Sequence, residues 1–470
     1  RRRVSTVADL STILECSKES KSGSSSSSGG SSCSSSSHHT GVGTLSTTSR
    51  PLTGGSSCLP AVREEQPDDD GEENQVFMAT PAAATGAPTE LPAPIQRENG
   101  TEGAVYDLAS PDPFSQELRS LILSSWQPRE SDKQLLFESA RSRPILKAGT
   151  LVSLGGQDVK VLHHLATGAY ARVYVAEVVN AEETYLDTDD SFQAPDHDKV
   201  VLKLNADSNS SWWEVYICCE LRRRLAEAYS GTPLKCVVDL RMGCFFPKSA
   251  ILVFPYCPYG TLLDVVGRYH KQGKRGMPEC LVLYFALELF ITLDLVHSCS
   301  IIHGDVKPDN VLITDFPSEL DFLQRFMEHS VSCVQLIDFG RSIDMHQLPP
   351  GATFTQVVET DGFVCTEMRD GRPWTYQTDW FGLLGCLHVL LFAEYMEVEK
   401  LPNGAWGIQN KFKRYWQQDL WSRIFSTLLN IPSCAEKPDV THFAIEIQQL
   451  LQDKSRAHNV VLEALRAKNF

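Results

Sequence analysis

Four polar side chains, scattered along the chain, carry the strongest chemical signal. Asp305 and Lys307 stand two residues apart in Ile302-His303-Gly304-Asp305-Val306-Lys307-Pro308-Asp309-Asn310, and Asn310 closes that run. Asp338 follows downstream in Leu336-Ile337-Asp338-Phe339-Gly340. A carboxylate and a carboxamide offer hard oxygen ligands of the kind magnesium and its phosphates prefer. A second carboxylate can take a hydroxyl proton, and a lysine can neutralise charge on the group in transit. Phosphoryl transfer asks for little more than this alignment and charge neutralisation.

The two runs fit the catalytic loop and the D-F-G of protein kinase signatures, in the right order and after a long apolar stretch. On that reading Asp305 accepts the substrate hydroxyl proton and Lys307 stabilises the transferring phosphoryl group. Asn310 and Asp338 hold Mg²⁺, and ATP is the phosphate donor. Upstream, Val201-Leu202-Lys203 matches the strand lysine that pairs with the α- and β-phosphates. Its helix partner is expected to be Glu214, in Trp212-Trp213-Glu214-Val215-Tyr216, with Glu220 as the second choice.

The glycine-rich loop departs from its pattern. Ala166-Thr167-Gly168-Ala169-Tyr170-Ala171-Arg172-Val173 keeps only the middle glycine, so Gly168 alone is left to allow close backbone approach to phosphate. Val173 would cover the adenine from one side and Leu312 from the other, with Phe254–Tyr259 supplying backbone groups to its edge; ordinary core packing is the competing reading of these apolar residues. Lys307 two residues after Asp305 is the serine/threonine pattern. Thr360, seven residues before Glu367, would bridge Asp305 and Lys307. Gly304 replaces the arginine that usually precedes the catalytic aspartate and receives an activation-loop phosphate, which argues against loop phosphorylation as the main switch.

These residues need a strand-rich part followed by a helical part, an α+β plan. Val159–Leu165, Val173–Val179 and Lys199–Leu204 read as strands, with an acidic insert between the last two. A helix over Trp213–Tyr229 and strands over Cys236–Leu240 and Ala250–Phe254 follow, and after Gly260 the pattern is mostly helical. Ahead of the strands, Asp112-Pro113 reads as a helix start, with Phe114, Leu118, Leu121 and Ile122 on one face. A second helix is expected around Gln134–Ala140. Residues 1–109 read as a disordered tail: Ser and Gly dominate 17–59, acids 61–75, and Ala and Pro 79–95.

The net charge of −16 argues against broad nucleic-acid binding, which needs a basic surface. The 14 cysteines include no C-x-x-C pair and read as free thiols in a reducing compartment. The apolar run from Cys280 to Ile302 contains Glu288 and Asp294. An acid at mid-span costs roughly 2.5–3.5 kcal/mol on insertion scales, so a buried helix is expected and no membrane partner.

Over residues 111–470 the sequence resembles the kinase region of the Bub family of mitotic spindle-checkpoint kinases (budding uninhibited by benzimidazoles). The catalytic loop, Leu336–Met345, Tyr259-Gly260-Thr261-Leu262-Leu263, Pro373–Asp379 and the start at Pro111-Asp112-Pro113-Phe114 carry the resemblance. It implies a two-lobed protein kinase fold: a small antiparallel-sheet lobe at 148–258, a helical lobe at 259–470, and a helical extension at 110–147 packing on the small lobe. It also implies an ATP- and Mg²⁺-dependent serine/threonine kinase of the nucleus and kinetochore, acting on protein substrates with a histone tail among them. A propeller-shaped Bub adaptor is an implied partner, through regions not evident in this sequence. Asp379 resembles the buried aspartate that anchors the catalytic loop. Retention of Lys203, Asp305, Asn310 and Asp338 favours the active branch of the family. Two alternatives stay open: a catalytically silent scaffold, and a small-molecule kinase of similar fold.

Overall fold

The computed structural model describes residues 112–168, 171–179, 199–228, 237–317, 333–357 and 364–468. The expected tail at 1–109, the acidic insert and Thr360 lie outside them. In chain order the elements are α1 (Gln116–Ser125), α2 (Glu130–Lys133), β1 (Leu136–Glu138), β2 (Leu151–Leu154), β3 (Gln157–Thr167), β4 (Ala171–Val178) and β5 (Lys199–Asn205). Then come α3 (Ser208–Ala228), β6 (Met242–Phe246), β7 (Ser249–Pro255), α4 (Leu262–Lys271), α5 (Glu279–Ser298) and β8 (Ile301–Ile302). Three short strands follow: β9 (Val311–Ile313), β10 (Val334–Leu336) and β11 (Ile343–Asp344). The remainder is α6 (Thr366–Arg369), α7 (Gln377–Phe392), β12 (Val398–Lys400), β13 (Trp406–Ile408), α8 (Gln418–Leu429), α9 (Thr441–Gln452) and α10 (Lys454–Lys468).

The first seven strands form one sheet in the order β1-β6-β7-β5-β4-β3-β2. Every pairing among β2–β7 is antiparallel, as expected of the small lobe; β1, from the stretch ahead of that lobe, adds to β6 in parallel. Strand β5 shows how the sheet separates core from chemistry. Val200, Leu202 and Leu204 are buried together with Val159, Val161, Ile251 and Val253 in a cluster on one face. Period-two alternation then turns Val201 and Lys203 to the other face.

The larger core lies among the helices. Helix α5 is nearly all apolar, and 78% of its most apolar stretch is buried inside the protein. Its mid-helix acid is satisfied: Glu288 Oε2 accepts the Cys333 amide at 2.8 Å. Asp294 reaches Lys437 at 2.8 Å. Helix α4 starts with a capping box, Thr261 and Asp264 bonding each other's backbone amides.

Four local expectations are corrected. The first helix begins at Gln116 with Ser115 as its cap, while Asp112 instead accepts the Phe114 amide in the turn before it. The expected helix at Gln134–Ala140 is replaced by a turn at residues 134–135 and strand β1, because pairing with β6 outweighs the weak helical periodicity. The strand expected at Cys236–Leu240 lies later, at Met242–Phe246. Of the expected segment, Val237 makes only a single bridge to Leu336. Leu121, placed on the buried face of the first helix, is 44% exposed, whereas Ile122 is buried.

Candidate active site

Lys203 stands at the meeting point of sheet, helix and D-F-G. Its Nζ donates to Glu214 Oε1 and Oε2 at 2.8 and 2.7 Å, and to Asp338 Oδ1 at 2.8 Å. The structure brings Glu214, not Glu220, to the lysine. Glu220 instead bonds Arg223 and Arg224 on its own helix. Burial works against a charge on Lys203, yet the two carboxylates outweigh it and hold the ammonium's pKa above the usual lysine value. Burial likewise pushes the Asp338 carboxyl up, but the charge and hydrogen bond of Lys203, with His303 and Lys307 nearby, keep it below the usual carboxylate range.

Asp338 has φ +66° and ψ +65°, a left-handed conformation unusual for a residue with a side chain. It turns the chain so that the carboxylate faces Lys203 while Phe339 is fully buried against the His303 ring, 4.8 Å between centroids.

The catalytic-loop run is held from below. Asp379, fully buried at the start of α7, accepts the amides of His303 at 2.7 Å and Gly304 at 2.8 Å, and bonds His297 Nε2 at 2.9 Å. Gly304 has φ +76°, and a Cβ there would lie 2.6 Å from the Arg341 carbonyl oxygen. Glycine is therefore required by both conformation and space. Above this base, Lys307 Nζ bonds Asp305 Oδ2 at 2.7 Å. Asn310 Nδ2 donates to the same oxygen at 3.0 Å and to the Asp305 carbonyl at 2.9 Å. The Asn310 amide group is thereby oriented with its nitrogen on Asp305.

The nucleotide-facing expectations can be placed as follows. Val173 is the register partner of Lys203 across β4 and β5, so both side chains lie on the same sheet face. Leu312 is half-buried between the fully buried Val311 and Ile313, hence on the opposite face of β9 from them. The segment after β7 is joined to the sheet by the Tyr256 amide on the Lys199 carbonyl. Cys257 within it is half-buried, and burial pushes its thiol up to about 11. Gly168 follows β3 with its amide on the Ala171 carbonyl at 2.8 Å; among the described residues a Cβ at Gly168 would meet only that oxygen, at 3.7 Å. Thr360 lies outside the described residues.

Among the described residues no group of three His, Cys, Asp or Glu could hold a metal ion unaided. Asp338 and Asn310 are two oxygen-bearing side chains, a donor set that suits a magnesium ion completing its shell with phosphate oxygens and water.

Several contacts around this site join residues far apart in sequence. Arg119 of α1 donates to the Gly340 carbonyl at 3.0 Å and lies over the Trp213 ring. Phe114 stacks on Trp374, and Trp126 meets Tyr216 edge-on at 5.4 Å. Arg224 pairs with Asp344 across 120 positions. No local motif marks any of these.

A lysine on a seven-stranded sheet, bridging helix and D-F-G beside a largely helical core, defines the protein kinase class. Residues 201–452 match the family model described as protein kinase domain. The mitotic checkpoint serine/threonine-protein kinase BUB1 of Mus musculus is 34% identical over 343 residues, 73% of this chain and 30% of that protein. The spindle assembly checkpoint serine/threonine-protein kinase BUB1 of Saccharomyces cerevisiae is 32% identical over 316 residues, 65% of this chain and 28% of that protein. Among solved structures, the crystal structure of the BubR1 kinase domain superposes with a TM-score of 0.64 at 30% identity, covering 76% of this chain and 99% of that one. The chain belongs to the protein kinase family, in its Bub branch. It spans about 30% of the length of the mouse and yeast relatives.

Proposed function

We propose that this chain is an active serine/threonine protein kinase of the mitotic spindle checkpoint, transferring the γ-phosphate of ATP to protein hydroxyls. The observation that carries the reading is the Lys203 ammonium bonded at once to Glu214 and Asp338. Bound at this site, magnesium-ATP would supply the phosphoryl group and neutralise its charge. Lys203 would orient the α- and β-phosphates, and Asp338 and Asn310 would hold the metal. Asp305, fixed by Lys307 and Asn310, would align the substrate hydroxyl and accept its proton. Lys307 would meet charge on the phosphoryl group.

The family and the names of its relatives support a role in the spindle assembly checkpoint and chromosome segregation. On that basis we assign it to the nucleus and the mitotic kinetochore, with a histone tail as a substrate and a propeller-type checkpoint adaptor as a partner. The scaffold reading rests on Ala166 and Ala171, which stand where glycines are expected. Transfer of labelled phosphate from Mg²⁺-ATP to core histones, wild type against Asp338→Ala, decides between them. Activity lost in the variant supports the kinase; equal background counts in both favour the scaffold.

A further inference from the structure

Helix α3 delivers Glu214 to Lys203, and the groups that hold the helix there lie outside the cleft. Ten residues on, Arg224 makes a two-pronged pair with Asp344: Nη1 to Oδ1 at 2.8 Å and Nη2 to Oδ2 at 2.6 Å. The same guanidinium donates to the Cys299 carbonyl at 2.8 Å and to Glu220 Oε2 at 3.1 Å. Tyr216 donates its hydroxyl to Asp344 Oδ2 at 2.5 Å, and the His346 amide donates to Oδ1 at 3.0 Å. The Asp344 side chain is wholly buried and Arg224 nearly so.

Asp344 is well placed to transmit position. It pairs with Ile301 across β11 and β8, immediately ahead of the catalytic loop. Two residues earlier, Ser342 donates its hydroxyl to the His303 carbonyl at 3.0 Å and accepts the Trp213 indole N–H on its own carbonyl at 2.9 Å. One short stretch after D-F-G thus touches both the helix bearing Glu214 and the loop bearing Asp305. A buried ion pair is a poor source of stability, since apolar side chains of similar volume hold as well or better. What its forked geometry adds is direction, fixing both the separation and the rotation of the two elements. Gly304, meanwhile, offers no side chain with which a phosphate on the activation segment could be gripped.

We propose that Arg224, Asp344 and Tyr216 are positioning residues that hold Glu214 on Lys203 without any phosphate on the activation segment. The inference rests on the kinase reading above. Its test uses the full chain after phosphatase treatment. Asp344→Asn keeps the side-chain size and removes the charge; Tyr216→Phe removes one hydrogen bond and is the milder change should the first variant fail to fold.

On core histones, kcat is expected to fall about tenfold or more in Asp344→Asn and severalfold in Tyr216→Phe. In a Glu214→Gln background, neither change should cost anything further, because all act through the same contact. Losses that multiply in the double variants, or a wild type inactivated by the phosphatase, overturn the proposal. A second readout does not need turnover: hydrogen exchange of the α3 amides should quicken in both variants while α5 is unchanged. If the wild type transfers no phosphate above the Asp338→Ala background, the kinase reading fails, and exchange alone decides the positioning role. Unchanged protection of α3 then overturns it.

Discussion

At Asp379 a single carboxylate serves three donors: two consecutive amides of the catalytic loop and one imidazole. Asp379→Asn would present an NH₂ group to at least one of them and leave a buried amide unpaired, at a cost of about 1–3 kcal/mol. The denaturant midpoint should fall with an unchanged m-value, and phosphate transfer should fall with it. His388 offers a pH test. It is fully buried in α7, between the Glu394 carbonyl at 2.8 Å and Asn410 Oδ1 at 3.2 Å, and burial, outweighing these acceptors, holds its pKa below the usual histidine value. The unfolded chain then binds the proton more readily than the folded one. Stability is therefore undiminished above about pH 6.5 and drops as the pH falls from there through the lowered folded value. His388→Gln should flatten that slope in urea titrations between neutral and mildly acid pH; a slope equal to wild type would assign it to other groups.

At the scale of elements, α1 is the piece with most bearing on the site. Ile122 packs in the main core with α3 residues, Trp126 meets Tyr216, and Arg119 reaches the D-F-G glycine. Burial and the nearby Arg341 lower the Arg119 pKa to about 10, yet the guanidinium stays charged at neutral pH. Deleting residues 111–147 is expected to lower phosphate transfer through loss of support for α3, and unchanged activity of that truncation would rule the support out. Legibility in the sequence varied by element for physical reasons. Strands β3, β4, β5 and β7 carry β-branched and other apolar residues bounded by turn formers, and helix α5 is a long apolar stretch with few acids; both signals are local. Strand β1 is three residues long and exists through its pairing with β6, so nothing within Leu136–Glu138 could announce it. Val237 and Val238 read as strand because they are β-branched and apolar, yet in the fold they only run beside β10. The site divides in the same way. Asp305, Lys307, Asn310 and Asp338 lie in contiguous motifs, and Lys203 with Glu214 spans strand and helix at a readable distance. Arg224 with Asp344, or Arg119 with Gly340, meet only after the chain has folded.

At the scale of the molecule, the buried side chains among the described residues fall into two clusters: a small one on one face of the sheet and a large one joining α3 to the helices. Leu293, fully buried in α5 at the centre of the large cluster, is a direct probe of it. Leu293→Ala should cost about 2–5 kcal/mol by removing apolar contact and leaving a cavity. Unfolding should remain a single transition by fluorescence and circular dichroism; a second transition would show that the two clusters unfold separately. Among the described residues ten cysteines are free, most of them buried, with Cys257 in the segment after β7. Burial pushes the thiols of Cys244, Cys257 and Cys365 up to between about 11 and 12. At neutral pH a thiol such as that of Cys257 is ionised in only about one molecule in ten thousand, and the thiolate is the reacting form. An inhibitor seated against Phe254–Tyr259 that relied on capturing this sulfur would bond slowly, so its selectivity would have to come from shape and hydrogen bonding rather than from covalent trapping.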